Sequence, residues 1–194
     1  MKFESERLEM VPFSPEKLND QIMSWFKNED LMRYYTNSKK QITKDELLNS
    51  IEMGIKNGTT FTYFIKSKKT GQIIGTTKVG PINLAHKISD IPVLIGEKSG
   101  LGKGIGSEAI LLGNKLAFEK YDIRKLFGGM YAGNIASIKA FTRSDWVVEG
   151  VLKGHYWNNG KNEDRILVGC FNPKYFTKEE IESARYEDWY KNNR

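Results

Sequence analysis

Cysteine is almost absent from this 194-residue chain, in which Cys170 stands alone. One thiol excludes an intrachain disulfide and any zinc site built on several cysteines. Histidine is nearly as scarce: His86 and His155 lie far apart in sequence. Neither a metal cluster nor a nucleophile–histidine–acid triad therefore has enough parts. Long apolar runs are also missing. The longest aliphatic stretch, around Ala109–Leu112, is far short of the roughly 20 residues needed to span a bilayer. The opening MKFESERLEM is charged from Lys2 onward and has no apolar segment of a secretory signal. No Pro-, Gly- or Ser-rich linker, repeat or low-complexity block divides the chain. These absences predict one cytoplasmic domain with no metal and no membrane partner.

What is present is an ordinary globular composition, 39% hydrophobic and 28% charged. A chain of this length buries a full core without staples. Lys and Arg number 30 against 24 Asp and Glu, a net charge of +6. The positive residues are spread along the chain, and the densest patches (Lys39-Lys40, Lys66-Lys68-Lys69, Arg124-Lys125) are short. A nucleic-acid surface concentrates such charge on one face, so no nucleic-acid partner is expected. Attraction for small anions and plain solvated faces fit equally well.

Periodicity predicts a strand over Arg7–Phe13 and then a helix from Ser14-Pro15 carrying Leu18, Ile22, Trp25 and Phe26. Thr43 with Glu46 forms a capping-box pair opening a helix over Lys44–Lys56. Phe61–Lys66 and Ile73–Val79 read as a hairpin. Ile88–Gly96 reads as a further strand, interrupted at Pro92, which cannot donate a ladder bond. Next come a helix over Ser107–Tyr121, a strand over Lys125–Tyr131, a short helix over Asn134–Arg143, and strands over Trp146–Leu152 and Arg165–Phe171. A helical tail follows from Thr177 to Tyr190. The order predicts a mixed α/β (α+β) domain over residues 1–172 around one central sheet, with residues 173–194 as a C-terminal helical extension.

The most informative segment joins the interrupted strand to the next helix. Glycines at 100, 102, 104 and 106 let backbone amides converge without Cβ obstruction, and the helix adds its unpaired N-terminal N–H groups. Such a concavity suits a diphosphate. A Walker A loop would need Gly at 97 and Ser or Thr at 104, where Glu97 and Gly104 stand. A dinucleotide fingerprint would need Gly at 105 or 107, where Ile105 and Ser107 stand.

Leu101-Gly-Lys-Gly-Ile-Gly106 resembles the pyrophosphate loop of the GNAT superfamily of acetyl-CoA-dependent N-acetyltransferases, whose pattern is Gln/Arg-x-x-Gly-x-Gly/Ala. Ile95 to Ile110 looks like the branch related to ribosomal-protein-alanine N-acetyltransferases. The resemblance continues through Tyr131-Ala-Gly-Asn-Ile-Ala-Ser-Ile-Lys-Ala-Phe141, Glu149-Gly150 and Asp164-Arg165. It covers residues 1–172 in element order and is strongest over 90–170. It implies a single GNAT-like domain with a twisted, mostly antiparallel sheet splayed at the acetyl-CoA site. It also implies that Leu94, Ile95, Leu101, Gly102, Lys103, Gly104, Ile105, Gly106, Ser107, Asn134 and Lys139 meet acetyl-CoA. Two departures stand out. Leu101 replaces Gln/Arg, and Ser144-Asp145-Trp146 replaces the usual Ala-Gly-Phe turn.

N-acetyl transfer needs a placed thioester, an unprotonated amine, donors for the developing oxyanion and a proton for the thiolate. The tyrosine that supplies this proton in many members, seven residues after the motif asparagine, is Phe141 here. The resemblance therefore shifts that role to Ser137, one helical turn beyond Asn134. His155 is the expected base, beside Tyr156 at the substrate end; Glu149 and Glu97 are weaker candidates. Trp25, Tyr34 and Tyr35 with His155, Tyr156 and Trp157 can wall a sugar or base, although Trp25 and Phe26 also read as helix core. The implied acceptor is a nucleotide-linked amino sugar or a protein N-terminal amine, and the enzyme is a monomer or homodimer. A non-catalytic acyl-CoA or nucleotide-binding module is the other reading. With Cys170 on the final strand, transfer is expected to be direct, without an acyl-enzyme.

Overall fold

A computed structural model describes residues 2–35, 42–97 and 103–192. Two short strands, β1 (Phe3–Glu4) and β2 (Leu8–Pro12), lead into a 3₁₀ turn over Pro15–Lys17. Helices α1 (Asp20–Lys27), α2 (Glu29–Met32) and α3 (Lys44–Lys56) follow. Strands β3 (Phe61–Ser67) and β4 (Ile73–Val79) form the expected hairpin. Next come β5 (Ile88–Ser89), β6 (Val93–Ile95), α4 (Ile105–Tyr121), β7 (Lys125–Tyr131) and α5 (Ile135–Thr142). The chain continues with β8 (Val147–Asn158), β9 (Lys161–Phe171), α6 (Lys178–Ser183) and α7 (Glu187–Asn192).

The strands form two sheets, ordered β1-β2-β3-β4-β6 and β5-β7-β9-β8. Every pair is antiparallel except β5 with β7. The single sheet read from the sequence thus divides within the segment expected as one strand. Ile88 and Ser89 pair with Lys125 and Leu126, whereas Val93–Ile95 pairs back onto Gly75–Thr77. Pro92 marks the break. It has no N–H to give a ladder, and its carbonyl is taken by the buried Thr77 hydroxyl at 3.0 Å. Among the described residues β6 is consequently the edge strand of its sheet, with no strand paired on its outer side.

Packing on the two faces follows the pleat. Ile91, Val93 and Ile95 join the main core with Leu8, Ile65, Leu116, Leu126 and Val148, under α4 and α5. Leu94 points the other way, into a second core with Leu18, Ile22, Trp25 and Phe64 under α1. Fully burying each such side chain contributes about 1.5–3 kcal/mol, so both faces are anchored.

Local signals explain most boundaries. Glu46 and Thr43 exchange both capping-box bonds, 2.9 and 3.2 Å, and α3 starts where expected. The first helix does not run from Pro15. Asn19 Oδ1 accepts from Ile22 N at 3.0 Å, so a new N-terminus separates α1 from the 3₁₀ turn. β8 and β9 extend well past Leu152 and before Arg165, closing on Asn159 (φ 49°) and Gly160 (φ 77°), the backbone a tight primed hairpin turn demands. The tail is two short helices, tied to β8 by Tyr186 N donating to Val148 O at 2.8 Å and Val148 N donating to Tyr190 Oη at 3.0 Å.

Candidate active site

The donor side is the N-terminus of α4. Gly104 caps it at φ 75°, a left-handed conformation that glycine adopts without strain, and no side chain occupies the cap. The first-turn amides therefore stay open for an anion. A Cβ at Gly106 would meet nothing within 4 Å, so the approach is clear. From the β1–β2 turn, Arg7 Nη1 donates to Lys103 O at 2.8 Å while its Nε donates to Glu108 Oε2 at 2.5 Å. Ser5 Oγ and Arg7 N reach the other Glu108 oxygen at 2.6 and 3.0 Å. Lys103 and the first turn of α4 are thus pinned to the β1–β2 turn. Leu101 and Gly102 lie outside the described residues; Lys103 is exposed.

α5 lies beside α4 and is locked to it. Ser107 Oγ donates to Ala140 O at 3.3 Å, and Ser144 Oγ donates to Ala140 O at 2.7 Å and Ser107 O at 3.1 Å. Asn114 Nδ2 donates to Ser144 O at 2.9 Å while its Oδ1 accepts from Trp146 Nε1 at 3.0 Å. The unusual Ser144-Asp145-Trp146 turn is therefore the clasp between the helices, with Asp145 at φ 65°. Asn134 caps α5 by accepting from Ser137 N at 3.4 Å, which places Ser137, half-buried, in the first turn. Lys139 is exposed on the next turn. Phe141 is buried edge-on to Trp146, with ring centroids 4.9 Å apart.

On the opposite face of the sheet a cavity of about 590 Å³ lies between α1–α3 and strands β3, β4 and β6. Phe13, Leu18, Phe26, Met32, Leu47, Phe64 and Leu94 give it apolar walls, and Asp90, Pro92 and Thr77 border it at the break between the half-sheets. Leu94 thus lines this cavity, while Ile95 packs against the main core. Burial pushes the Asp90 carboxyl up to about 6, against the lowering effect of the Ile91 amide, Lys78 and Arg165. Tyr35 Oη donates to Val93 O at 3.5 Å, and burial, aided by the Asp90 charge, holds its phenol well above the ordinary range.

A third group flanks this region. The Tyr131 ring stacks on Tyr156 at 3.8 Å and meets Tyr34 at 5.6 Å; Tyr34 Oη donates to Gly133 O at 3.0 Å. Arg165 crosses Gly129 so closely that a Cβ there would sit 2.0 Å from its Nε. That Nε is buried with no hydrogen-bond partner, and Nη1 lies 3.4 Å from His155 Nε2. Burial raises the Tyr156 phenol, outweighing the lowering effect of Arg165.

His155 is exposed on the β8–β9 hairpin, edge-on to Tyr156 at 5.1 Å, and is not among the cavity's lining residues. Trp157 is 74% exposed and Trp25 is core, so the aromatic wall read from the sequence does not assemble as one surface. Glu149 is paired with Lys125 at 2.5 Å, and Glu97 accepts from Gln21 at 2.7 Å. Cys170 is buried, and burial pushes its thiol up to about 12. Asp90 was not singled out by sequence reasoning. Its only trace there is its place two residues before Pro92 in the interrupted strand.

A model of the acetyltransferase (GNAT) domain matches residues 7–147, and the chain belongs to this family. It is an N-acetyltransferase, and acetyl-CoA is its co-substrate. The curated N-acetyltransferase 9-like protein of Caenorhabditis briggsae is 22% identical over 153 residues, 74% of this chain and 75% of that protein. Spermidine N-acetyltransferase from Vibrio cholerae, solved with CoA and spermine, superposes with a TM-score of 0.78 at 18% identity, over 89% of this chain and 100% of that one. The ribosomal-protein-S5-alanine acetyltransferase from Vibrio fischeri gives 0.74 at 20% identity, over 91% and 100%. Among the described residues no helix is long and apolar enough to cross a membrane.

Proposed function

We propose that the chain transfers acetyl directly from acetyl-CoA to a primary amine that enters from the α1–α3 face of the sheet. The observation that carries this reading is Asp90, an acidic residue of the cavity lining beside Pro92 where the two half-sheets part. The open amides of α4 suit the CoA diphosphate, with Lys103 and Lys139 as supporting charges. The unpaired edge of β6 suits the pantetheine arm and offers backbone amides to a developing oxyanion. Asp90 accepts the ammonium proton and the neutral amine attacks the thioester carbonyl. As the C–S bond breaks, the Ser137 hydroxyl passes its proton to the departing thiolate while taking up the second proton released by the attacking nitrogen. The raised Cys170 thiol supports transfer without an acyl-enzyme.

Similar folds acetylate spermidine in one case and a ribosomal-protein alanine in another. Both a small amine and a protein N-terminus therefore remain acceptor classes for this chain. His155 is the rival base, favoured by its position beside Tyr156 and Arg165. The test is thiol release from acetyl-CoA across a panel of amines, with Asp90→Asn and His155→Ala alongside the natural chain. Binding of acetyl-CoA without turnover on any amine overturns the reading.

A further inference from the structure

We propose that the cavity under α1–α3 selects a primary amine carried on an apolar body, an alkyl- or arylalkylamine, over a polyamine or an amino sugar. This rests on the acetyl-transfer reading above and names the substrate class of that same site.

The argument is one of matched chemistry. Phe13, Leu18, Phe26, Met32, Leu47 and Phe64 face the cavity, and its volume of about 590 Å³ falls within the range of small-molecule sites. The acids among the described lining residues are Asp90 and Glu46. Glu46 Oε2 already accepts from Thr43 N at 2.9 Å and Thr43 Oγ1 at 3.2 Å, so its carboxylate is committed to the start of α3. That leaves one carboxylate for one ammonium. A polyamine brings further ammonium groups, which would have to lie against aromatic and aliphatic walls or beside Lys78, itself a lining residue. An amino sugar brings several hydroxyls that each need a partner. Of the hydroxyls among the described lining residues, Thr77 Oγ1 is spent on Pro92 O and Tyr35 Oη on Val93 O, which leaves those of Thr62 and Thr76 for a sugar's several hydroxyls.

The test is a homologous series from propylamine to hexylamine with 2-phenylethylamine, spermidine and glucosamine, read as kcat/KM by thiol release. Burial of each methylene predicts a rise of about fourfold per carbon along the series. Hexylamine and phenylethylamine are expected to exceed spermidine and glucosamine at least about tenfold. A second arm uses Leu47→Glu, which adds a carboxylate to the wall of the pocket. It is expected to shift the spermidine-to-hexylamine ratio toward spermidine about tenfold while leaving KM for acetyl-CoA unchanged. A flat chain-length series, or spermidine or glucosamine above hexylamine, overturns the proposal whether or not the variant folds. If no amine is turned over, hexylamine is titrated into thermal melts of the natural chain. A rise in Tm then keeps the pocket and sinks only the transfer reading, and no rise sinks the pocket as well.

Discussion

Arg7 grips Glu108 and the Lys103 carbonyl at once, so one guanidinium on the β1–β2 turn sets the first turn of the helix more than ninety residues later. The bond to a charged carboxylate and the bond to the Lys103 carbonyl hold the amides proposed to meet the cofactor diphosphate. Arg7→Ala is therefore expected to raise KM for acetyl-CoA about tenfold, with kcat changed less than about threefold. Arg7→Lys, which cannot make both bonds in that geometry, should recover little of it. Equal losses in kcat and kcat/KM would instead place Arg7 in the chemical step.

Asp90 predicts the pH behaviour. The groups set around it are Lys78, Arg165 and Tyr35, and burial outweighs the two cations, leaving its carboxyl at about 6. A base works only when deprotonated, so kcat/KM is expected to fall below about pH 6. Asp90→Asn should lower kcat about 100-fold or more and abolish this limb. His155→Ala should retain it; loss of the limb there transfers the role to His155.

The same group carries a stability signature of opposite sign. Its folded pKa is raised above the ordinary 3.8, so the folded state binds the proton more tightly. That contribution is complete below the ordinary carboxylate pKa and is lost as pH rises through about 6. Thermal melts should accordingly show Asp90→Asn gaining on the natural chain above pH 6 and losing the advantage toward pH 4.

Ser137 is held in the first turn of α5 by the Asn134 cap. Ser137→Ala should lower kcat about tenfold or more and leave KM for acetyl-CoA nearly unchanged, since only the departing thiolate needs the hydroxyl. An unchanged kcat removes it from the reaction. Phe141 offers no substitute: it faces the core against Trp146.

Asn114 joins the Trp146 indole to the Ser144 carbonyl in a buried site. Asn114→Ala leaves both groups without a partner and should cost about 2–4 kcal/mol, read as a fall in Tm. KM for acetyl-CoA should also rise, because the α4–α5 clasp loosens.

Where a boundary depended on a local rule, the residues stated it plainly. The Thr43–Glu46 capping box placed α3, and Pro92 announced the break in the strand. Asn159-Gly160 was equally explicit, and the β8–β9 hairpin could have been read to its tip from those two residues. Asp90 is a different matter. Its properties come from a cavity whose β6 wall is near it in sequence, whereas α1–α3, β4 and the cations at positions 78 and 165 are not. His155 stood out in the chain because histidine is rare, yet rarity says nothing of where a hairpin points.

The parting of the strand at Pro92 separates two evolutionary problems. On the proposed reading the donor is met by α4, α5 and the edge of β6, and the acceptor by the stretch from Phe13 to Leu94, folded over the other face. Changes in α1–α3 can retune which amine is accepted without disturbing the cofactor loop. Exchanging that N-terminal stretch between family members should therefore move acceptor preference as a unit and leave the donor behind.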